Sequence, residues 1–280
     1  MSKISIVIAT LGGKQLLNTI KLLNEGSLIP DEILICVPNT NIIIENLDYP
    51  NIRILLTEFK GQVAQRIEGF KQVKNDFVLQ IDDDISVDNN FLNKMYELFI
   101  DLPENSSLAP SFKFLDSSLH VYPPSKGLLS KFYYFLINGK SGHQQGIITK
   151  ASSEIGVNCL SVSKSILEVE WIPGGCVLHR KKNLVLFNYF PFEGKAFCED
   201  LFHSCELKKK GINLFVTGIV HVKIADPRND VFNFRNQLFS LKNDFKIRSK
   251  FCKIYNREKG VNFFVYYVLR FNSIVIKSLF

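Results

Sequence analysis

Long apolar runs are missing from this sequence of 280 residues. A membrane-spanning helix needs roughly 18 or more consecutive apolar residues, and no stretch reaches that length. The run Ile4–Ala9 is too short for the core of a signal peptide and fits a strand better. Six cysteines are present, but they form no CxxC pair and match no common zinc spacing. We therefore expect a cytoplasmic protein with reduced thiols and no structural zinc.

The composition is that of a folded protein whose positive charge is unevenly placed. Hydrophobic residues make up 46% of the chain and aromatic residues 12%, which excludes a disordered chain. The net charge is +7. Residues 241–280 contain nine Lys and Arg against two acids, a net charge of +7, so residues 1–240 are balanced. We predict a domain over 1–240 followed by a basic, amphipathic tail over 241–280.

In the first hundred residues, apolar segments typical of strands alternate with segments that have the periodicity of a helix. The predicted strands are Ile4–Ala9, Ile33–Val37, Ile52–Leu56 and Phe77–Ile81, and the predicted helices contain Leu16–Leu23, residues 62–74 and Phe91–Phe99. This β-α-β-α order with continuous apolar strands predicts an α/β fold, a doubly wound and mostly parallel sheet with helices on both faces. Residues 1–100 form its nucleotide-binding half. Periodicity weakens between 103 and 170, and a helix over 197–210 and short strands Asn213–Thr217 and Ile219–Val222 follow.

Three consecutive carboxylates, Asp82, Asp83 and Asp84, close the fourth predicted strand. The carboxyl ends of parallel strands are where open α/β sheets bind ligands. If the chain stays extended, Asp82 and Asp84 share one face and Asp83 points away. Two carboxylates on one face suit a divalent cation that keeps most of its waters and also binds a diphosphate.

Other motifs follow at characteristic places. They are Thr10 after the first strand, Gln65-Arg66 on the helix before the fourth strand, Trp171 with Gly174-Gly175, and Glu199-Asp200 followed by His221. In this order, and with Asp82-Asp83-Asp84 as a DxD motif, the chain resembles the inverting family 2 glycosyltransferases with a GT-A fold over roughly residues 3–240. The resemblance implies an acceptor and catalytic half over 101–240 and a C-terminal helical tail.

The resemblance also implies a Mg²⁺ or Mn²⁺ cofactor and roles for individual residues. Asp84 would bind the metal, with His221 as a further ligand to metal or diphosphate. Asp200 would be the catalytic base. The remaining donor-site residues would be Thr10, Asp82, Asp83 and Arg66, with Arg66 near the diphosphate, and the sugar-contacting residues would be Trp171, Gly174, Gly175 and Glu199.

One position departs from the family pattern. Where these enzymes usually carry an aspartate that reads the nucleobase, this chain has Cys36-Val37-Pro38-Asn39-Thr40. Asn39 could make a similar hydrogen bond, but an amide donates as well as accepts. The nucleotide of the donor could therefore be UDP, GDP or dTDP.

The tail places a basic stretch, 246–250, ahead of the aromatic segment Phe263–Leu269. That arrangement is typical of a helix lying in a membrane interface, where anionic lipid attracts each nearby cation by about 1 kcal/mol. The alternative is a helix that packs on the catalytic core. We expect no nucleic-acid partner, because no basic and aromatic patch lies on the folded half, and a peripheral location on the inner face of the plasma membrane.

The resemblance implies transfer of a sugar from a nucleotide-sugar donor to a glycan acceptor. It also implies that this acceptor is linked to lipid and belongs to a bacterial surface polysaccharide such as O-antigen or capsule. One alternative is a nucleotidyltransferase that forms sugar nucleotides, in which Gly12-Gly13-Lys14 would be a short version of the glycine-rich loop that binds the triphosphate. The other is a non-catalytic carbohydrate- or calcium-binding protein. In the calcium reading Asp82, Asp84, Ser86 and Asp88 alternate, but Val87 occupies the glycine position and Asn93 the final glutamate position.

Overall fold

A computed structural model describes residues 3–39, 48–117, 119–123, 126–157, 165–192, 196–226 and 232–279. The strands are β1 Ile4–Ala9, β2 Glu32–Pro38, β3 Ile52–Thr57, β4 Phe77–Ile81, β5 Ser86–Val87, β6 Ser106–Phe114, β7 Ile147–Ile148, β8 Glu154–Ile155, β9 Ile166–Val169, β10 Cys176–Arg180 and β11 Asn213–Ile224. The α-helices are α1 Gln15–Asn24, α2 Gln62–Gln72, α3 Phe91–Ile100, α4 Leu128–Asn138, α5 Glu199–Lys209, α6 Phe234–Ile254 and α7 Val261–Lys277. None of these helices is long and apolar enough to cross a bilayer.

Nine strands form the central sheet, in the order β3-β2-β1-β4-β10-β6-β11-β5, with β9 paired to β11. Strands β3, β2, β1 and β4 run parallel, so their carboxyl ends meet at one edge. Strand β10 is antiparallel to both neighbours, whereas β6 and β11 are parallel to each other. The predicted α/β class is confirmed. Because β10 runs antiparallel to β4, the start of β10 lies beside the end of β4.

Alternating side chains of the central strands build a core on each face of the sheet. On one face α1 and α3 pack against the strands through Leu16, Ile20, Leu23, Phe91, Leu92, Met95 and Phe99. On the other face α2 contributes Phe70, which packs with Val7 and Leu34. Ile6 and Ile8 belong to the first cluster and Val7 to the second, as the two-residue period of a strand requires. The sheet is therefore covered on both faces, as predicted.

The chain divides into two compact units. Unit 1 comprises Met1–Val121 and Cys159–Ala225, and unit 2 comprises Tyr122–Asn158 and Asp226–Phe280. This division differs from the predicted boundary at 240. The reason is that α6 is one continuous helix over Phe234–Ile254, so residue 240 lies inside it.

Unit 2 contains α4, α6, α7 and the small β7–β8 hairpin. Asp244 and Arg248, on α6, are buried and paired, with Arg248 Nε 2.9 Å from Asp244 Oδ1. Arg248 also donates to both carboxylate oxygens of Glu154 at 2.7 and 3.1 Å, and Tyr267 donates to Asp244 Oδ2 at 2.9 Å. These charged groups are satisfied within unit 2, and they tie the hairpin and α7 to α6.

The two short strands predicted over 213–222 are one bulged strand, β11. Its register against β6 shifts between Thr217 and His221. The bulge adds residues to one strand and lets the chain continue in the same sheet, so Gly218 marks an irregularity and not a turn. Sequence periodicity also missed β6 and α4.

Candidate active site

A cavity of about 760 Å³ lies in unit 1, at the sheet edge where β1 and β4 end. Its volume falls within the usual range of small-molecule sites, about 300–1,000 Å³. The walls come from the end of β1 and the following loop, the start of α2, the turn after β4, the turn before β10 and the start of α5. The lining residues are Ala9, Thr10, Leu11, Gly12, Gly13, Lys60, Gly61, Gln62, Gln65, Asp82, Asp83, Asp84, Gly174, Gly175, Ala196, Phe197, Cys198, Glu199 and Asp200.

All three consecutive aspartates line this cavity. The predicted alternation, with Asp83 pointing away, does not occur because β4 ends at Ile81 and the chain turns at Asp83-Asp84. The Thr10 hydroxyl donates to Asp83 Oδ2 and accepts from the Gly12 amide at 2.9 Å. Asp83 and Thr10 therefore join the ends of β4 and β1. Asp84 is the exposed carboxylate of the three.

Arg66 connects the two acidic corners of the cavity. Its guanidinium is 1% exposed; one nitrogen, Nη1, lies 2.7 Å from Glu199 Oε1, and Nη2 contacts Asp82 Oδ1. Burial lowers the pKa of Arg66, but the attraction of Glu199 and Asp82 outweighs it, and the pKa is raised overall. The guanidinium is not on the cavity wall formed by the described residues. Arg66 thus bridges Asp82 and Glu199 from outside that wall, and its predicted approach to a diphosphate stays a prediction.

The carboxyl of Asp82 is held by donors on α2. Gln62 Nε2 donates to Asp82 Oδ1 at 2.8 Å, beside Arg66. Burial raises the pKa of Asp82 to about 6, and the neighbouring charges of Glu199 and Asp84 add to that rise while Arg66 opposes it. A further positive charge placed in the cavity would stabilise the ionised form of this carboxyl.

Gly174 and Gly175 lie where two walls approach closely. The Gly175 carbonyl accepts from the Asp82 amide at 2.8 Å, and the Gly174 carbonyl accepts from the buried Gln80 side chain. A Cβ at Gly174 would lie 2.7 Å from Glu199 Oε1, and one at Gly175 would lie 3.0 Å from Asp82 Oδ2. Only glycine lets this backbone segment sit against both carboxylates.

We expect Gly174→Ala to lose activity by displacing Glu199 and, with it, Asp200, whose Cβ is 3.3 Å from the added methyl group. Overpacking of this kind costs about 1–3 kcal/mol. Thermal unfolding and turnover should both fall. Gly260→Ala is the matched control, because its Cβ would meet nothing within 4 Å. Equal turnover in Gly174→Ala and the control would contradict this close contact.

Glu199 and Asp200 open helix α5 at the cavity wall. Cys198, just before the helix, adopts a φ of 56°, a conformation that residues other than glycine rarely take and that clusters at functional sites. The turn directs Glu199 inward, to Arg66 and to the Tyr189 hydroxyl at 3.4 Å. Asp200, the next residue, lines the cavity at the positive end of the α5 dipole.

Three predicted site residues lie away from the cavity. Asn39 is exposed, and its backbone N–H donates to the Thr57 carbonyl at 2.9 Å. Trp171 is 2% exposed and lies in the protein interior. His221 shares a hydrogen bond between its Nδ1 and the Ser111 hydroxyl, and the β11–β5 register places it opposite Asp88. None of the three is among the described residues of the cavity wall.

The surroundings of His221 favour its neutral imidazole. Burial lowers its pKa to about 4, and the charge of Lys113 and the ring of His120 add to that effect. The ring of His120 lies 5.9 Å away. The register of β11 against β6 shifts between Thr217 and His221, so strand alternation in the sequence does not place His221 relative to the end of β4.

Sequence reasoning gave no role to several residues that shape the site, although Gln65 was part of the Gln65-Arg66 motif. Gln65 donates to the carbonyls of Thr10 at 2.9 Å and Cys36 at 2.7 Å, which fixes the ends of β1 and β2 together. Lys60 and Phe197 line the cavity. Lys60 follows the carboxyl end of β3 and comes just before α2, and this position could have predicted that it lies at the cavity. Tyr189 lies in a stretch without periodicity, so no sequence signal indicated its contact with Glu199.

The donor set fits a hard divalent cation. Asp82, Asp83 and Asp84 offer carboxylate oxygens, the ligands that Mg²⁺ and Mn²⁺ prefer. Two of these carboxylates already accept hydrogen bonds from side chains, Asp82 from Gln62 and Asp83 from Thr10. No cluster of three or more His, Cys, Asp or Glu side chains with ligating geometry occurs in the part of the chain that the structure describes. The site therefore suits a cation held by one or two carboxylates that keeps waters and binds the substrate as well.

Comparison with known proteins agrees with this geometry. The model of glycosyl transferase family 2 matches residues 5–154, more than half of the chain. A solved structure of GalNAc-T7 with UDP, GalNAc and Mn²⁺ superposes with a TM-score of 0.56 at 13% identity, covering 87% of this chain. A structure of S. aureus TarS 1-349 gives a TM-score of 0.49 at 14% identity over 86% of this chain.

The chain spans 48% of the GalNAc-T7 chain and 64% of the TarS chain. At 13% identity and a TM-score of 0.56, the likeness to GalNAc-T7 concerns the fold alone. No curated protein sequence matches the chain closely enough to count as a relative. The family match, the GT-A-like sheet and the acidic cavity at its carboxyl edge agree, and the chain belongs to glycosyltransferase family 2.

Proposed function

We propose that this protein is a metal-dependent, inverting glycosyltransferase that moves a sugar from a nucleotide-sugar donor to a glycan acceptor. The observation that carries the proposal is that Asp82, Asp83, Asp84 and Asp200 all line one cavity. These carboxylates come from distant parts of the chain, the turn after β4 and the start of α5. A cation-binding corner and a second acid on the walls of a single cavity are what one-step sugar transfer requires.

The charge of the cavity supports dependence on a divalent cation. Among the described residues of its wall, five are carboxylates and one is a lysine, Lys60. Arg66 pairs with Asp82 and Glu199 from outside this wall, so Arg66 and Lys60 together offset two of the five negative charges and three remain. A nucleoside diphosphate carries further negative charge and would be repelled by such a wall. When bound, Mg²⁺ or Mn²⁺ would neutralise the leaving diphosphate as a Lewis acid.

The residues of the chain would contribute binding, orientation and proton transfer. Asp84, with Asp82, would hold the cation, and Lys60 would contact the phosphates. Gly174 and Gly175 would let the donor sugar approach the backbone. Asp200 would accept the proton of the acceptor hydroxyl as that oxygen attacks the anomeric carbon, a step that typically contributes about 10²–10⁴-fold. With one base and no covalent intermediate, the product has the inverted configuration.

The proposed acceptor is a growing surface glycan of a bacterial cell, linked to lipid. The support is the order of sequence motifs shared with transferases of this kind and the basic, apolar surface of unit 2 described below. A calcium-binding role has less support, because the Asp88 carboxylate of the calcium reading lies 2.9 Å from Lys223 Nζ. Formation of sugar nucleotides would leave Asp200 without a role, and Lys14 is not among the described residues of the cavity wall.

The test is incubation with a panel of UDP-, GDP- and dTDP-sugars, with and without Mn²⁺. We expect release of nucleoside diphosphate from one donor class, dependent on the added metal. Asp84→Ala should abolish both turnover and metal-dependent nucleotide binding, measured by thermal shift. Asp88→Ala is the matched control: it removes a carboxylate from the same segment, outside the cavity wall, and should keep activity.

Two outcomes would contradict the proposal. One is undiminished turnover after removal of the metal with a chelator or by Asp84→Ala. The other is release of pyrophosphate from a nucleoside triphosphate and a sugar-1-phosphate, which is the reaction of a nucleotidyltransferase and not of a glycosyltransferase.

A further inference from the structure

Helix α4, Leu128–Asn138, presents large apolar side chains to solvent on the side away from its packing partner. Leu128 is 83% exposed, Leu129 86%, Phe132 59% and Phe135 52%. Single exposed apolar residues are ordinary on protein surfaces, but a group on one helix indicates an interaction site. Sequence periodicity assigned no function to this segment.

The exposed residues form one continuous face. Positions 128, 132 and 135 are separated by four and three residues and therefore lie above one another on the helix, with 129 at the edge of the same face. The opposite side of α4 is buried within unit 2, where Tyr134 and Ile137 pack in a cluster with Phe263 of α7. Asn262, at the start of α7, donates to the Leu136 carbonyl at 2.6 Å. Helix α4 is thus fixed in place while half of its apolar surface has no covering element in the described chain.

The charges around this face are positive. Lys126, Lys131 and Lys140 flank or belong to α4, and all are exposed. The sequence from 122 to 153 contains no Asp or Glu. Unit 2 as a whole contains 15 Lys and Arg against 5 Asp and Glu, a net charge of +10, so that unit 1, with the rest of the chain's +7, has −3. The positive charge of the protein is thus concentrated on the unit that exposes the apolar helix.

These observations together select one kind of partner. A second copy of this chain would place one unit of net charge +10 against another, and like charges repel. An anionic lipid surface satisfies both features, because lysines bind the headgroups while Leu and Phe enter the acyl boundary. The length of α4 fits this arrangement: 11 residues rise about 16 Å, roughly half of a bilayer's hydrocarbon core, so the helix cannot span it.

We propose that α4 is an interfacial helix that docks unit 2 on an anionic bilayer, with Leu128, Phe132 and Phe135 buried among the lipids and Lys126, Lys131 and Lys140 at the headgroups. This contact would be separate from the membrane contact that the sequence predicts for the tail, 241–280. It would bring the proposed acceptor, a glycan attached to lipid, to the surface on which the enzyme sits. It does not depend on the chemistry of the cavity, so binding and turnover are separate readouts.

The test is co-sedimentation of the full-length protein with vesicles of phosphatidylcholine alone and of phosphatidylcholine mixed with phosphatidylglycerol. We expect binding to the anionic vesicles that weakens as salt is raised, and little binding to phosphatidylcholine alone. In the double variant Leu128→Gln and Phe132→Gln, the partition constant should fall by at least about tenfold, because two buried apolar side chains are lost. Glutamine keeps the helix propensity of α4, so the melting temperature should not change.

The matched control is the double variant Leu17→Gln and Ile100→Gln, which removes exposed apolar residues, 42% and 44% exposed, from helices α1 and α3 of unit 1. It should bind vesicles as the wild type does. Donor turnover with a water-soluble acceptor should be unchanged in both variants, so a failure of docking is distinguishable from a failure of the proposed reaction. Point substitutions are preferable to truncation at 240, which would cut α6 in two.

Three results would each overturn the proposal. The first is equal binding to anionic and neutral vesicles, or none to either. The second is wild-type binding by the α4 double variant. The third is a dimer in solution, measured by light scattering, that becomes a monomer in the α4 variant, since the exposed face would then be covered by a second copy.

Discussion

Asp200→Asn should reduce turnover by at least about 100-fold while leaving donor binding nearly intact. The amide has almost the same shape as the carboxylate but cannot accept the proton of the attacking hydroxyl. Asp200 lies at the start of α5, at the positive end of the helix dipole, so the substitution also removes a charge that this end favours. The cost of that loss to the stability of the fold is about 0.3–1 kcal/mol, too small to account for a loss of turnover by unfolding.

The measurement pairs kcat with donor affinity, the latter from thermal shift or from titration in the presence of Mn²⁺. Glu206→Gln on the same helix is the matched control; Glu206 pairs with Lys209 at 2.9 Å and lies outside the described cavity wall. It should turn over at nearly the wild-type rate. Undiminished turnover in Asp200→Asn would remove Asp200 from the role of base. A parallel loss of donor affinity would instead assign it to donor binding.

The architecture of the first hundred residues could be predicted because local pattern and tertiary structure agree there. Strands β1 to β4 are apolar along their length because they are covered on both faces, and α1 to α3 carry one apolar side each. The ends of such strands converge at one edge of a parallel sheet, so the motifs at Thr10 and at Asp82 to Asp84 could be placed together. The meeting of these residues with Gly174 and Asp200 followed only from the resemblance to a family.

What could not be predicted depends on contacts between distant residues. The helical period locates Arg66 on α2, but only the approach of Glu199, 133 residues further on, makes its buried charge possible. The position of His221 depends on a bulge in β11; Gly218 marks the irregularity, but it does not tell how far the register shifts. Helix α4 was missed because its apolar residues extend around most of its circumference, which hides the period that a half-buried helix normally shows.

Arg66→Met should destabilise the fold by about 3 kcal/mol, the largest effect on stability that we expect of a single substitution near the cavity. Methionine fills much of the same space, but it leaves Glu199, whose side chain is 9% exposed, and Asp82 without their shared cation. Removing one partner of a buried pair typically costs about 3–5 kcal/mol, because an uncompensated charge remains. The side chain of Asp82 is 26% exposed, so water offsets part of this cost, and we take the lower end of the range.

Two further variants separate this effect from a loss of packing. Arg53→Met, on the neighbouring strand β3, makes the same substitution where the side chain is 41% exposed, and its nearest carboxylate contact, to Glu32, is 3.8 Å; the change should cost at most about 1 kcal/mol. Adding Glu199→Met to Arg66→Met removes the carboxylate that is left buried, and the double variant should recover part of the lost stability. Urea denaturation of these three variants and of Glu199→Met alone gives the comparison. If the double variant lost the sum of the two single costs, the ion triad would not be the reason for the destabilisation, and Arg66 would stabilise the site through its packing alone.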